Sequence, residues 1–151
     1  MLSLTGLPGI YFHSLFGSRN WKEGVQITNH NRTINRQKLE RVKLEEELKS
    51  PVSLRRQVFT RFRQMLLARS SSAAFHPHGN QKVLDVGNNI FALSRISPDG
   101  TKNVLCLQNI TQQEQRIENL INITARDLLT NRSQNSEIIL QPYQTMWLEI
   151  S

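Results

Sequence analysis

The spacing of apolar residues changes twice along this chain, and the changes divide it into an N-terminal and a C-terminal half. The first apolar stretch, residues 7–12, reads Leu-Pro-Gly-Ile-Tyr-Phe and shows no alternation. A short continuous run of this kind predicts a strand buried on both faces, like the parallel strands of α/β proteins. Such a strand needs neighbours on both sides, and no second run of this kind stands beside it. We therefore expect the chain to be the end-piece of a larger α/β enzyme.

A polar segment rich in Gly, Asn and Arg follows at 17–35 and is expected to form a long loop. Helical spacing then begins, with one helix predicted over Gln37–Lys49. Ser50 suits a helix cap and Pro51 the first helical position, so a second helix is predicted from there. Its apolar residues recur at helical spacing, namely Leu54, Val58, Phe62, Met65 and Leu66.

The period changes to two after residues 70–74, and strands are predicted from there to the end. Three stronger strands are Lys82–Val86, Ile90–Ile96 and Asn103–Asn109, and three weaker ones are Arg116–Ile123, Ile138–Leu140 and Thr145–Ile150. The Ser-Pro-Asp-Gly sequence at 97–100 predicts a turn that joins the second and third into a hairpin. We expect an antiparallel β-domain of about five to seven strands over Lys82–Ser151, with Cys106 as a small, inert, buried residue.

Charge follows the same division of the chain. Residues 1–71 hold 13 Lys and Arg against 5 Asp and Glu, whereas residues 72–151 hold 6 against 7. Five arginines fall on the second predicted helix, namely Arg55, Arg56, Arg61, Arg63 and Arg69. They are interpreted as the solvated side of an amphipathic helix rather than as a nucleic-acid surface.

The single cysteine excludes an internal disulfide and fits a reducing, cytoplasmic location. No apolar run reaches the roughly 18 residues that a membrane span needs, so no membrane partner is predicted.

The sequence predicts no catalytic residue, no metal site and no cofactor. No glycine motif for phosphate is present, and His76-Pro77-His78 lacks the Cys or carboxylate partners of a metal site. The carboxylates are scattered, with Asp85 predicted in a strand, Asp99 in a turn and Asp127 in a loop. Acid/base or glycosyl-transfer chemistry needs a pair of carboxylates aimed into one pocket, and no such pair is predicted.

Several motifs nevertheless form a recognisable series. The N-terminal ones are Leu-Pro-Gly-Ile-Tyr-Phe-His-Ser-Leu at 7–15, Gly-Ser-Arg-Asn at 17–20 and Arg-Thr-Ile-Asn-Arg at 32–36. The later ones are Ala-Phe-His-Pro at 74–77, Asp-Leu-Leu-Thr at 127–130 and Pro-Tyr-Gln-Thr-Met-Trp-Leu at 142–148. Together they resemble the C-terminal part of sucrose phosphorylases and their close relatives, the glucosylglycerate phosphorylases. These enzymes belong to the α-amylase superfamily, glycoside hydrolase family 13.

The resemblance implies an α/β fragment followed by an all-β part. Residues 1–72 would be the end of a (β/α)8 catalytic barrel, with its last strand, an active-site loop and two helices. Residues 73–151 would be a small antiparallel, sandwich-type C-terminal domain.

The resemblance also implies a mechanism for full-length relatives. An aspartate nucleophile forms a glucosyl-enzyme, a glutamate serves as acid/base, a second aspartate holds the sugar, and phosphate is the acceptor. These carboxylates precede the last barrel strand, so none has a counterpart here. What carries over is substrate binding by Arg32, whose guanidinium offers a rigid fork of donors, with Arg36 and His13 as further candidates.

We therefore expect part of a retaining glycoside phosphorylase that is inactive alone. It would be either a gene fragment or a partner of a separately encoded N-terminal barrel part, and it would meet sugar and phosphate only in a complete barrel. Two alternatives remain open: a small basic nucleic-acid-binding protein, and a carbohydrate-binding β-module that uses Trp147 and Tyr143. The sequence leaves the glucoside and acceptor undetermined.

Overall fold

A computed structural model describes residues 1–118, 120 and 124–150. The chain forms two compact units. Residues 9–64 make one, which we call the helical unit, and residues 1–8 together with those from Met65 onward make the other, which we call the β unit.

The helical unit contains four helices and the first part of a fifth. They are α1 (Phe12–Leu15), α2 (Lys22–Thr28), a 3-10 helix (Asn31–Asn35), α3 (Arg41–Lys49) and α4 (Leu54–Ser71), which continues into the β unit. The long loop predicted at 17–35 is wrong, because α2 and the 3-10 helix occupy most of it.

The strand predicted at 7–12 is also wrong. Residues 7–11 take no regular structure, α1 begins at Phe12, and Leu7 is 86% exposed. No described strand pairs with this segment, so its backbone groups join no ladder. The apolar run therefore does not mark a strand among the described residues.

Both longer helices of the unit are confirmed with later starts than predicted. The first predicted helix begins at Arg41 rather than at Gln37. The second begins at Leu54, so the predicted capping by Ser50 is wrong. Ser53 caps it instead, since its Oγ accepts the Arg56 N–H at 3.1 Å and satisfies a donor that the first helical turn leaves open.

The β unit is built on an antiparallel six-stranded sheet with the order β1-β2-β3-β8-β5-β6 and a separate pair β4-β7. The strands are β1 (Asn80–Leu84), β2 (Ile90–Ile96), β3 (Asn103–Asn109), β4 (Gln115–Ile117), β5 (Ala125–Asp127), β6 (Ser133–Gln134), β7 (Ile138–Leu140) and β8 (Thr145–Ile150). Two short strands, β5 and β6, were not predicted, so the described residues hold eight strands rather than about five to seven.

The antiparallel character predicted for this region is confirmed, as are the hairpin of β2 with β3 and the strands β7 and β8. Of the strand predicted over Arg116–Ile123, only the start forms, as β4; residues 119 and 121–123 lie outside the described part of the chain.

One face of the large sheet packs against β4 and β7. Its core is a cluster of buried apolar residues, namely Ile90, Ala92, Leu105, Leu107, Ile117, Ala125, Ile138, Leu140, Met146 and Leu148. Asn109 closes one end of this core. Its amide donates to the carbonyls of Gln113, Leu140 and Gln141, its Oδ1 accepts from Thr111, and its side chain is fully buried.

The opposite face of the sheet is covered as well. Leu93, Cys106 and Trp147 lie side by side in register on adjacent strands and are at most 3% exposed. The Phe75 ring packs on Trp147 with 4.6 Å between the ring centroids. Cys106 is buried as predicted, and burial raises the pKa of its thiol to about 12.

Candidate functional site

The Arg32–Arg36 element forms the 3-10 helix of the helical unit and one wall of a shallow pocket. The pocket has a volume of about 280 Å³ and is lined by Tyr11, Arg32, Ile34, Asn35 and Arg36. The structure thus brings two of the three predicted binding residues, Arg32 and Arg36, to a common concave surface. Both side chains are exposed, and neither forms an ion pair with a described residue.

Three contacts with residues earlier in the sequence hold this element in place. The Tyr11 hydroxyl donates to the Asn35 carbonyl at 2.5 Å, and the Trp21 N–H donates to the Ile34 carbonyl at 2.8 Å. The hydroxyls of Thr28 and Thr33 lie 2.8 Å apart. The backbone that carries the two arginines is therefore tied to α2 and to the segment before α1.

Gly24 permits this arrangement because the Trp21 ring lies where a larger residue would place its side chain. A Cβ added to Gly24 would lie 2.1 Å from the ring. The tight approach of ring to helix needs glycine at this position.

His13 lies outside the pocket. Its Nδ1 is 3.1 Å from the Ser18 Oγ, and the Arg55 guanidinium donates to the same hydroxyl at 2.9 Å. Arg55 in turn pairs with Glu47 at 2.5 Å. The ring of Tyr11 lies 5.5 Å from that of His13. Tyr11 therefore both lines the pocket and contacts His13.

The lining is suited to binding rather than to proton transfer. Two guanidiniums and a phenol supply donors for hydroxyl or anionic oxygens, and no carboxylate lines the pocket. Tyr11, Trp21 and Ser18 were not singled out from the sequence, because each acts through a contact with a residue 5 to 37 positions away.

The other candidate groups take structural positions. Asp127 is not in a loop as predicted; it ends β5, is 1% exposed, and accepts the N–H groups of Trp147 and Leu129 and the Thr130 hydroxyl. Asp85 follows β1 rather than lying within it. Among the described residues, no three His, Cys, Asp or Glu side chains are grouped so that they could hold a metal ion.

The residues considered for carbohydrate binding and for nucleic-acid binding are only partly exposed. Trp147 is 1% exposed and belongs to the core, which leaves Tyr143 as the exposed member of the pair considered for carbohydrate. On α4, Arg55 is engaged by Glu47 and Arg69 is buried, so the interpretation of Arg69 as a solvated residue is wrong. No helix of the described chain is long and apolar enough to cross a membrane.

Comparison with known proteins places these features in context. No protein-family profile matches the chain. It is 56% identical over 115 residues to a glucosylglycerate phosphorylase from Spirochaeta thermophila, a match that covers 76% of this chain and 20% of that enzyme. It is 32% identical over 152 aligned positions to the glucosylglycerate phosphorylase of Escherichia coli, covering 99% of this chain and 26% of the enzyme. The chain thus spans about a fifth to a quarter of the length of these relatives.

Part of this fold is also found in solved structures. The trehalulose synthase MutB from Pseudomonas mesoacidophila MX-45 superposes with a TM-score of 0.55 at 20% identity, over 71% of this chain and 19% of that one. AmyP, solved with maltose, superposes with a TM-score of 0.56 at 16% identity, over 64% of this chain and 21% of its own.

Proposed function

We propose that this chain forms one part of a retaining glycoside phosphorylase. The premise is that it is a relative of the glucosylglycerate phosphorylases, which belong to the α-amylase superfamily, glycoside hydrolase family 13. In this proposal the helical unit completes a catalytic barrel whose carboxylates lie in another part of the enzyme. The β unit is the C-terminal domain. The chain alone transfers no glucosyl group.

The observation that carries the proposal is the lack of a core in the helical unit. Among its described residues, Phe16 is the one buried apolar side chain. Large apolar side chains are exposed instead, namely Tyr11, Phe12, Ile27, Val42, Val52 and Leu54. A unit of 56 residues that folds on apolar burial needs a covering surface, and a barrel wall would supply one.

Within this proposal Arg32 binds the sugar. Its guanidinium offers several N–H donors in one plane, which suits hydroxyls or a carboxylate of the substrate. Arg36 and Asn35 complete the same wall of the pocket, and Tyr11 holds the wall through the Asn35 carbonyl. His13, through Ser18 and Arg55, supports the segment that precedes α2.

The test is a reconstitution. The purified chain is expected to release no glucose 1-phosphate above blank from glucosylglycerate or sucrose with phosphate. Coexpressed with the Spirochaeta thermophila enzyme from which the homologous region has been deleted, it is expected to copurify and to restore phosphorolysis.

Arg32→Ala is expected to lower the restored kcat/KM by at least about 100-fold, the effect of losing a charged donor that stabilises the transition state. Arg41→Ala is the matched control, because Arg41 is exposed and pairs with Glu45 on α3. Phosphorolysis by the chain alone, or equal losses for the two variants, would contradict the proposal.

A further inference from the structure

The β unit buries two arginines that have no acidic partner. Arg95 is fully buried and Arg69 is 9% exposed. Their guanidinium carbons lie 5.7 and 5.5 Å from the centroid of the same ring, that of Phe75. No described carboxylate forms a salt bridge with either residue. Buried charges in proteins normally have a partner of opposite charge. Arg69 and Arg95 have none among the described residues, so they leave an excess of positive charge inside the unit.

Backbone carbonyls satisfy part of the hydrogen-bonding capacity but none of the charge. Arg95 donates to the carbonyls of Ser3 and His76 at 3.1 and 3.0 Å, and its buried Nε has no partner in the described structure. Arg69 donates to three carbonyls of the N-terminal segment, those of Leu2, Leu4 and Gly6. Desolvation lowers the pKa of both arginines, and repulsion by Arg69 lowers that of Arg95 further.

Arg69 also lines an open pocket of about 500 Å³, a volume within the usual range for small-molecule sites. Most of the wall is apolar, from Leu7, Leu66, Ala73, Phe75 and Pro77. Ser72 lies in the same wall, and its Oγ is buried without a hydrogen-bond partner in the described structure. Arg69 has five N–H groups, and backbone carbonyls accept from three of them.

We infer that this pocket binds a small organic anion that consists of one carboxylate and an apolar tail. In this proposal the carboxylate accepts from the Ser72 hydroxyl, which has no partner in the described structure, and is attracted by the Arg69 guanidinium in the same wall. The tail would lie against Leu7, Leu66 and Pro77. A phosphate ion fits less well, because its further oxygens would face apolar side chains without donors. All residues of the pocket belong to the β unit, and none of them lines the pocket that holds Arg32.

The experiment is an NMR titration of the full 151-residue chain with hexanoate, hexanamide and inorganic phosphate as separate probes. Hexanoate is expected to shift the amide signals of residues 66–77 and of Leu7 in a saturable way. Hexanamide has the same tail without the charge and is expected to bind at least about tenfold more weakly, the usual effect of a charged hydrogen bond. Inorganic phosphate is expected to leave these signals in place.

Ser72→Ala is expected to weaken hexanoate binding about tenfold. Ser71→Ala is the matched control, since the Ser71 hydroxyl bonds the Ala68 carbonyl in its own helix and does not line the pocket. Three results would each overturn the inference: no saturable shift with hexanoate, equal affinity for hexanoate and hexanamide, or preference for phosphate. The comparison of hexanoate with hexanamide uses the unaltered chain, so it decides the question even if a variant does not fold.

Discussion

The two units of this chain differ in what holds them together. Of the apolar side chains buried in the described residues, all but Phe16 belong to the β unit. The β unit carries 7 basic and 7 acidic residues, whereas the helical unit carries 12 basic and 5 acidic, and so holds the whole net charge of +7. The β unit therefore has balanced charge and an apolar core. The helical unit has an excess of positive charge and a single buried apolar side chain among its described residues.

Helix length points the same way. The first three α-helices have four, seven and nine residues. Isolated helices shorter than about 12–15 residues are marginal in water, because nucleation costs more than so few hydrogen bonds return. Such helices persist when an apolar face is covered. We therefore expect apolar burial to contribute more to the stability of the β unit than to that of the helical unit.

The strongest challenge to this comparison uses the two tryptophans. Trp147→Ala is expected to lower the free energy of unfolding by about 3–5 kcal/mol, since it leaves a cavity between Phe75 and the sheet. Trp21→Ala is expected to lower it by less than about 1 kcal/mol, because its unit contributes little to the cooperative transition. Urea denaturation followed by far-UV circular dichroism measures both. Similar losses for the two variants would mean that the helical unit has a core of its own.

A smaller effect is expected from a change in the helical unit, where Trp21 packs against Gly24. Gly24→Ala is expected to displace the Trp21 ring, because the added Cβ would overlap the ring. The fraction of tryptophan fluorescence that acrylamide quenches should rise, while the free energy of unfolding changes by less than about 0.5 kcal/mol. Gly9→Ala is the matched control, since a Cβ there meets nothing within 4 Å. An increase in stability with unchanged quenching would show that Trp21 does not depend on Gly24.

The smallest effect concerns the turn of the β2–β3 hairpin. Hydrogen bonds from the Ser97 hydroxyl and from the Thr101 N–H and hydroxyl lower the pKa of Asp99. A carboxyl whose pKa is lowered on folding stabilises the fold above its unfolded value, which is near 3.8, and loses this contribution as the pH falls through the folded value. The Tm advantage of the native chain over Asp99→Asn should therefore be largest above pH 5 and shrink toward pH 3. An advantage independent of pH would contradict the assignment.

The sequence predicted those elements whose local pattern agrees with their final environment. The hairpin of β2 with β3 was predicted because alternation and the Pro-Asp-Gly turn point to the same structure, and β8 because Met146, Leu148 and Ile150 share a face. β5 and β6 have three and two residues, too few to show a period. The segment 7–12 carries the pattern of a buried strand, but strand formation depends on pairing partners.

The sequence predicted only part of the candidate site. Arg32 and Arg36 were found through the resemblance of their motif to a family, and the structure places them on one pocket wall. Tyr11 and Trp21 could not be found, because their roles arise from contacts that only the folded chain creates. Arg69 and Arg95 look like ordinary surface arginines in sequence, since nothing local indicates that carbonyls and an aromatic ring will enclose them.

The buried amide of Asn109 has a consequence for how this protein can be produced. Asn109-Ile110-Thr111 matches the acceptor signal for N-linked glycosylation, in which the sugar is attached to the side-chain amide nitrogen. In the fold that nitrogen already donates to three carbonyls and has no access to solvent. Oligosaccharide transfer and folding therefore exclude each other at this position. A eukaryotic secretory host that modified the nascent chain here would yield molecules in which the end of the sheet cannot close.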